Sequence, residues 1–184
     1  MTQPWQPSAN PAGQHRRLIR TTVANWLTAQ RIQGLDHVWP TLPPYWNFDA
    51  YPHTGTDFGM LAAVQIPSDS EDRYAYTGPT DPGGKMVHYP VRLRMVHGSY
   101  TVSDDDLAAM SEDDYDRIYD ALKDCLRGSG RDLGRPDVIL VAGDYPRNAG
   151  ITGLHEDPVI VGGGSIMRSG TLSFTVSQYL TKYP

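Results

Sequence analysis

Residues 85–100 read KMVHYPVRLRMVHGSY. Val87, Tyr89, Val91, Leu93, Met95 and His97 fall on every second residue, with Met86, His88, Pro90, Arg92, Arg94 and Val96 between them. Period-two alternation sends successive side chains to opposite faces of a β-strand. One face is apolar, and the other carries Arg92, Arg94 and His88. A strand this long is expected to be central in its sheet. Its arginines then need carboxylates, phosphates or water. Two readings are open: one wet face of an antiparallel sheet, or contact with another copy of the chain or another protein.

Further strands line up around it. Residues 170–180, GTLSFTVSQYL, alternate Leu172, Phe174, Val176, Gln178 and Leu180 against Thr171, Ser173, Thr175, Ser177 and Tyr179. Phe58–Ile66 (FGMLAAVQI) is a continuous apolar run of strand length, and Asp137–Ala142 (DVILVA) reads as a buried strand. Residues 67–85 are rich in turn formers, so a long hairpin with a protruding tip is expected, Arg73–Thr77 extending its first arm. Residues 143–157 read as a loop, and Pro158–Val161 with Ile166–Arg168 as a short strand interrupted by the glycines at 162–164. Residues 35–57 hold four prolines and five aromatics, which exclude a helix. They predict a short strand near 36–40 followed by an ordered aromatic loop.

Two segments are helical. Leu18, Ile19, Val23, Trp26 and Leu27 recur at three- and four-residue steps, with Gly34 as the expected C-cap. Tyr115, Ile118, Tyr119, Leu122, Cys125 and Leu126 mark the second helix. Ser111 with Asp114 forms a capping-box signature at its start, and Ser103 with Asp106 repeats it, predicting a separate short helix upstream. The outcome is an α+β fold: a mainly antiparallel twisted sheet of about five strands with two helices packed on one face. Residues 1–13, with three prolines, are expected to be a flexible arm, and 14–184 a single domain.

Composition narrows the function classes. Formal net charge is −5, which argues against a duplex-DNA binder with a basic footprint. No run of about 18 apolar residues is present, so no membrane span is expected. The N-terminus lacks the basic-then-apolar order of a signal peptide, which places the chain in a cytosol when it is made. Cys125 is the sole cysteine and sits at an apolar helical position, as a structural thiol does.

Chemical motifs are sparse. The sequence has no HExxH, no GxSxG elbow and no GxxxxGK[ST] loop. His53 with Asp57, and His155 with Glu156 and Asp157, are histidine–acid groupings in loops, and turn-forming acids explain both. No catalytic residue, metal site or cofactor is therefore expected. A small hydrolase using those loops, and a monomeric module with an aromatic pocket around Trp39, Trp46 and Tyr51, remain as other classes. Surfaces carry more information. The acids from Asp104 to Asp124 form a charged helix face, and Arg92 and Arg94 a strand face of opposite sign. The subunit-interface candidates are Arg92, Arg94, Asp113, Asp116 and Asp120. The assembly-loop candidates are Trp46 and Tyr51 on the aromatic loop and Arg73, Tyr74 and Tyr76 on the hairpin.

The order of these segments resembles the tail terminator proteins of long-tailed (siphovirus) bacteriophages, particularly those of actinobacterial hosts. The resemblance spans residues 14–180: an opening helix of the HRRLIRTTVANWL type, a strand of the YPVRLRMVHG type after a long hairpin, a helix of the DDYDRIYDALKDCLRG type, and a closing GTLSFTVSQYL strand. The aromatic insertion at 39–57 departs from shorter members. The resemblance implies a non-enzymatic virion protein of the tail and neck, made in the host cytoplasm. It implies a homo-oligomeric ring, a hexamer, that caps the head-proximal end of the tail tube and stops its polymerisation. Its partners would be itself, the tail tube protein and a head–tail connector or stopper, with DNA passing through the lumen without specific binding and no membrane involved. A connector or stopper of the same neck is the alternative.

Overall fold

The computed structural model describes residues 14–48, 58–74, 84–99, 105–128, 132–141, 150–161 and 165–181. In chain order these form α1 (Gln14–Ala29), β1 (Leu35–Trp39), β2 (Phe58–Gln65), β3 (Ser70–Tyr74), β4 (Gly84–Ser99), α2 (Asp105–Gly128), β5 (Asp132–Arg135), β6 (Val138–Val141), β7 (Thr152–His155), β8 (Val159–Val161) and β9 (Ser165–Thr181). The expected arm at 1–13 and the hairpin tip at 75–83 lie outside the described residues.

The fold is α+β, with every strand in one mostly antiparallel sheet. Its main path runs β1-β2-β4-β9-β6-β5, with β3 pairing β4, and β7 and β8 pairing β9. The alternating stretch is the centre of this sheet: β4 pairs β9 antiparallel along its full 16 residues, from Gly84↔Thr181 to Ser99↔Ile166. At about 3.4 Å per residue the ladder is on the order of 50 Å long. On its other edge β4 holds β2 against residues 92–99 and β3 against 84–88. Pro90, which has no N–H, falls in the gap between those two strands, where that edge has no partner to receive one.

The apolar faces coincide. Val87, Tyr89, Val91, Leu93 and Met95 of β4, Leu172, Phe174 and Val176 of β9, and Met60, Ala62 and Val64 of β2 belong to one buried cluster. Ile19, Val23, Ala24 and Leu27 of α1, Tyr115, Ile118, Tyr119, Leu122 and Leu126 of α2, and Val38, Leu133 and Val138 of β1, β5 and β6 join it. Both helices therefore lie on the same side of the sheet. Leu18 and Trp26 are only half-buried at the edges of the α1 stripe.

Several local expectations are revised. The second helix is continuous from Asp105, so Ser111 is internal and its buried hydroxyl has no hydrogen-bond partner among the described residues. Leu107, Ala108, Ala109 and Met110 are adequate helix formers, so the helix propagates through the second capping signature. Asp114 serves elsewhere: it lies 3.4 Å from His97 Nε2 and accepts a hydrogen bond from Arg117 Nε at 3.1 Å. Helix α1 ends at Ala29, and Arg31, not Gly34, takes the first left-handed conformation after it (φ 52°). Residues 150–155 are not all loop, since β7 pairs residues 170–173 of β9. The short β5, unpredicted, pairs β6 around a turn. Strand β1 runs parallel to β2, which the long aromatic connection between them permits.

Gly34 has φ of 89°, and a Cβ there would lie 2.6 Å from Ile118 Cδ1, so this turn admits no side chain. Gly34→Ala is expected to lose about 1–3 kcal/mol of unfolding free energy in a urea titration. At the far edge, burial pushes the Asp137 carboxyl up, but hydrogen bonds from Arg135 and Gln178 outweigh it and hold it below the usual 3.8. A depressed carboxylate stabilises the fold fully above its unfolded pKa and loses that contribution as pH falls through its folded value. Asp137→Asn is expected to lower stability at neutral pH and to flatten the fall of thermal midpoint below about pH 4.

Candidate functional site

The sheet face opposite the helices answers what the arginines meet. It divides in two. At the β1–β2 end it is covered by aromatics of the chain itself. His37 and Trp39 of β1 pack edge-on with ring centroids 4.5 Å apart, and Trp39 meets Trp46 at 5.7 Å. A Cβ at Gly98 would sit 3.1 Å from the Phe48 ring. Beneath this pad Leu61, Ala63 and Val96, on the arginine-bearing face by register, are buried. Trp46, expected in an assembly loop, thus packs against its own sheet. Burial in the pad lowers the His37 pKa, so the ring favours its neutral form.

The other half of that face is polar. Ser169, Thr171, Ser173, Thr175 and Ser177 of β9 flank the arginines of β4 in register. His88 Nδ1 lies 2.7 Å from Ser177 Oγ. Arg92 is exposed and forms no ion pair with a described residue. Arg94 is half-buried and lies 3.9 Å from Glu156, which also accepts a hydrogen bond from Ser169. Asp113, Asp116 and Asp120 are exposed on α2, on the helix layer. The two sets of interface candidates therefore occupy opposite sides of the domain. Arg73 and Tyr74 are the last residues of β3. Tyr51, Tyr76, His53 and Asp57 lie outside the described residues.

A cleft of about 330 Å³ opens between α2 and the β7–β8 edge. Helix α2 contributes Glu112, Tyr115 and Asp116, β7 and the turn after it His155, Glu156 and Pro158, and β9 Arg168. Tyr115 and Tyr119 project from α2 onto glycines. The Tyr115 hydroxyl lies over Gly170 of β9 and the Tyr119 hydroxyl over Gly153 of β7, where any Cβ would collide with them. The exposed His155 ring rests on both, with centroids 4.3 Å from Tyr119 and 5.8 Å from Tyr115. Arg168 is nearly buried, 3.3 Å from Glu112 and donating to the Ala108 carbonyl at 3.2 Å. Neither tyrosine hydroxyl has a hydrogen-bond partner among the described residues, although Tyr115 is 4% and Tyr119 2% exposed. An unsatisfied buried hydroxyl costs about 1–3 kcal/mol. Burial, reinforced by Tyr119, Asp116 and Glu156 and opposed by Arg168, pushes the Tyr115 phenol far above its ordinary range. It stays neutral, a hydrogen-bonding group and not a base.

Sequence reasoning singled out Asp116, His155 and Glu156 but not the cleft. The available signal was two tyrosines at core positions of a helix, whose hydroxyls need either glycines or partners. Among the described residues no three His, Cys, Asp or Glu side chains are grouped to hold a metal ion. Among them, too, no helix is long and apolar enough to cross a membrane. Neither a protein-family model nor a curated protein sequence matches the chain.

Gly170→Ala is expected to cost about 1–3 kcal/mol, because its methyl meets the Tyr115 hydroxyl and the Leu154 carbonyl oxygen 2.9 Å away. Tyr115→Phe in that background should restore part of the loss, leaving the Leu154 contact. Chemical denaturation of both single variants and the double variant measures this coupling.

Proposed function

We propose that this chain is a ring-forming structural protein of a bacteriophage virion, a tail terminator that caps the head-proximal end of the tail tube and offers the head-joining surface. The observation that carries the reading is the placement of its charge: exposed Arg92 lies on the sheet face, and Asp113, Asp116 and Asp120 lie on the helix layer. Contacts between two different, oppositely charged surfaces are heterologous, and a heterologous contact whose rotation closes yields a ring. A single self-complementary patch instead closes as a two-fold dimer. The resemblance over residues 14–180 supplies the location in the tail and neck, with tube protein and connector or stopper as neighbours. A net charge of −5 suits a lumen through which DNA slides, since each neutralised phosphate would tighten the grip.

Negative-stain imaging with mass determination on the same concentrated sample tests this. Closed rings of about six subunits, wide enough to pass duplex DNA, are expected, or rings that form only on the ends of added tail tubes. A chain that stays monomeric in both conditions overturns the reading. Rings that bind heads but leave tube ends growing would assign it to the connector or stopper.

A further inference from the structure

We infer that the cleft between α2 and the β7–β8 edge is the receptor for Arg92 of a second copy of this chain. The inference rests on the ring reading and names the contact that would build the ring. Helix α2 presents two carboxylates to it, Glu112 and Asp116, against one guanidinium, Arg168, while the Glu156 carboxylate turns to the arginine-bearing face. Glu112 is engaged by Arg168, and Glu156 by Ser169 and Arg94. Asp116 makes no ion pair with a described residue and is the uncompensated charge. The Tyr115 hydroxyl, buried and unpartnered, adds an acceptor. The exposed His155 ring adds a flat surface. Carboxylate, phenol oxygen and ring face together suit a guanidinium, which offers five N–H donors in a plane and stacks on aromatic rings.

The occupant follows from charge and place. Arg92 is exposed, on the opposite face of the sheet from α2, and without an ion pair among the described residues. Its neighbour Arg94 already faces Glu156. A subunit cannot bring its own Arg92 through its sheet to α2, so the pairing must join two copies. At the same sheet edge, exposed Ile160 (78%) shares the α2 side by register, while Leu154 (62%) and Val159 (58%) share the arginine-bearing side.

Sedimentation velocity over a concentration series, run with and without tail tubes, tests the contact. Arg92→Glu and Asp116→Arg are each expected to weaken self-association about a hundredfold. Their equimolar mixture should recover it, because every interface then pairs opposite charges. Asp113→Lys and Asp120→Lys, outside the cleft, should change it by less than about threefold. Tyr115→Phe should weaken association about tenfold while leaving the subunit's thermal midpoint unchanged or higher. Tyr119→Phe, whose hydroxyl is not in the cleft, should leave association unchanged. Circular dichroism confirms folding of each variant. If wild-type rings form and either charge reversal assembles normally, or if the mixture stays as dispersed as its components, the contact is overturned while the ring survives. A wild-type chain that is monomeric throughout overturns both.

Discussion

The ladder between β4 and β9 is the constraint on which the remaining structure depends. Both strands are long, and each uses both edges: β4 takes β2 and β3 on the side away from β9, and β9 takes β6, β7 and β8 on the side away from β4. The register of this one pairing therefore sets which face every other strand presents. A slip of one residue would send Arg92 and Arg94 into the cluster now occupied by Leu93 and Met95. Burying two unpaired guanidiniums is prohibitive. The arginines thus fix the register by exclusion, whatever else they bind, and the helices find a single apolar face on which to dock.

That face is fully occupied, and the opposite one is finished by two different means. Over β1 and β2 the chain folds its own aromatics back, so Leu61, Ala63 and Val96 are buried without a helix above them. Over β4 and β9 it leaves hydroxyls and arginines, which need no cover. The parallel pairing of β1 with β2 is part of the same solution. It requires a long connection, and that connection supplies Trp46 and Phe48 to the pad.

What was legible in the sequence follows from periodicity. Strands β2, β4, β6 and β9 and both helices emerge from two- and 3.6-residue patterns because each is long or strongly apolar. Strands β5 and β7 are four residues each and lack a buried apolar run, so they are held by pairing to neighbours that only the tertiary fold supplies. Ser111 misled because a capping signature is local, whereas the helix is chosen by everything upstream of it. The charged faces were readable, since alternation assigns Arg92 and Arg94 to one side and helical spacing assigns Asp113, Asp116 and Asp120 to a stripe. The cleft was not. It joins residues 112–116, 155–158 and 168, and no pattern within any one segment announces that juxtaposition.

The β7–β8 end of the domain carries groups that the fold itself leaves without partners among the described residues. Among the described residues no strand pairs the outer edge of β7 and β8, and open strand edges invite pairing with other chains unless lysines, prolines or covering segments protect them. Here Asp157 and Pro158 interrupt the edge, yet Leu154, Val159 and Ile160 remain exposed beside it. At the same edge lie a buried phenol and the Asp116 carboxylate, neither with a partner among the described residues. The buried phenol and the exposed apolar side chains are modest costs, while exposed Asp116 is solvated. The proposed contact would relieve them together: an arginine satisfies the phenol and the carboxylate, and the surface bearing it covers the apolar edge. A contact that removes several local costs at once is cooperative, because no part of it is gained without the rest, and this favours closed assemblies over partial ones.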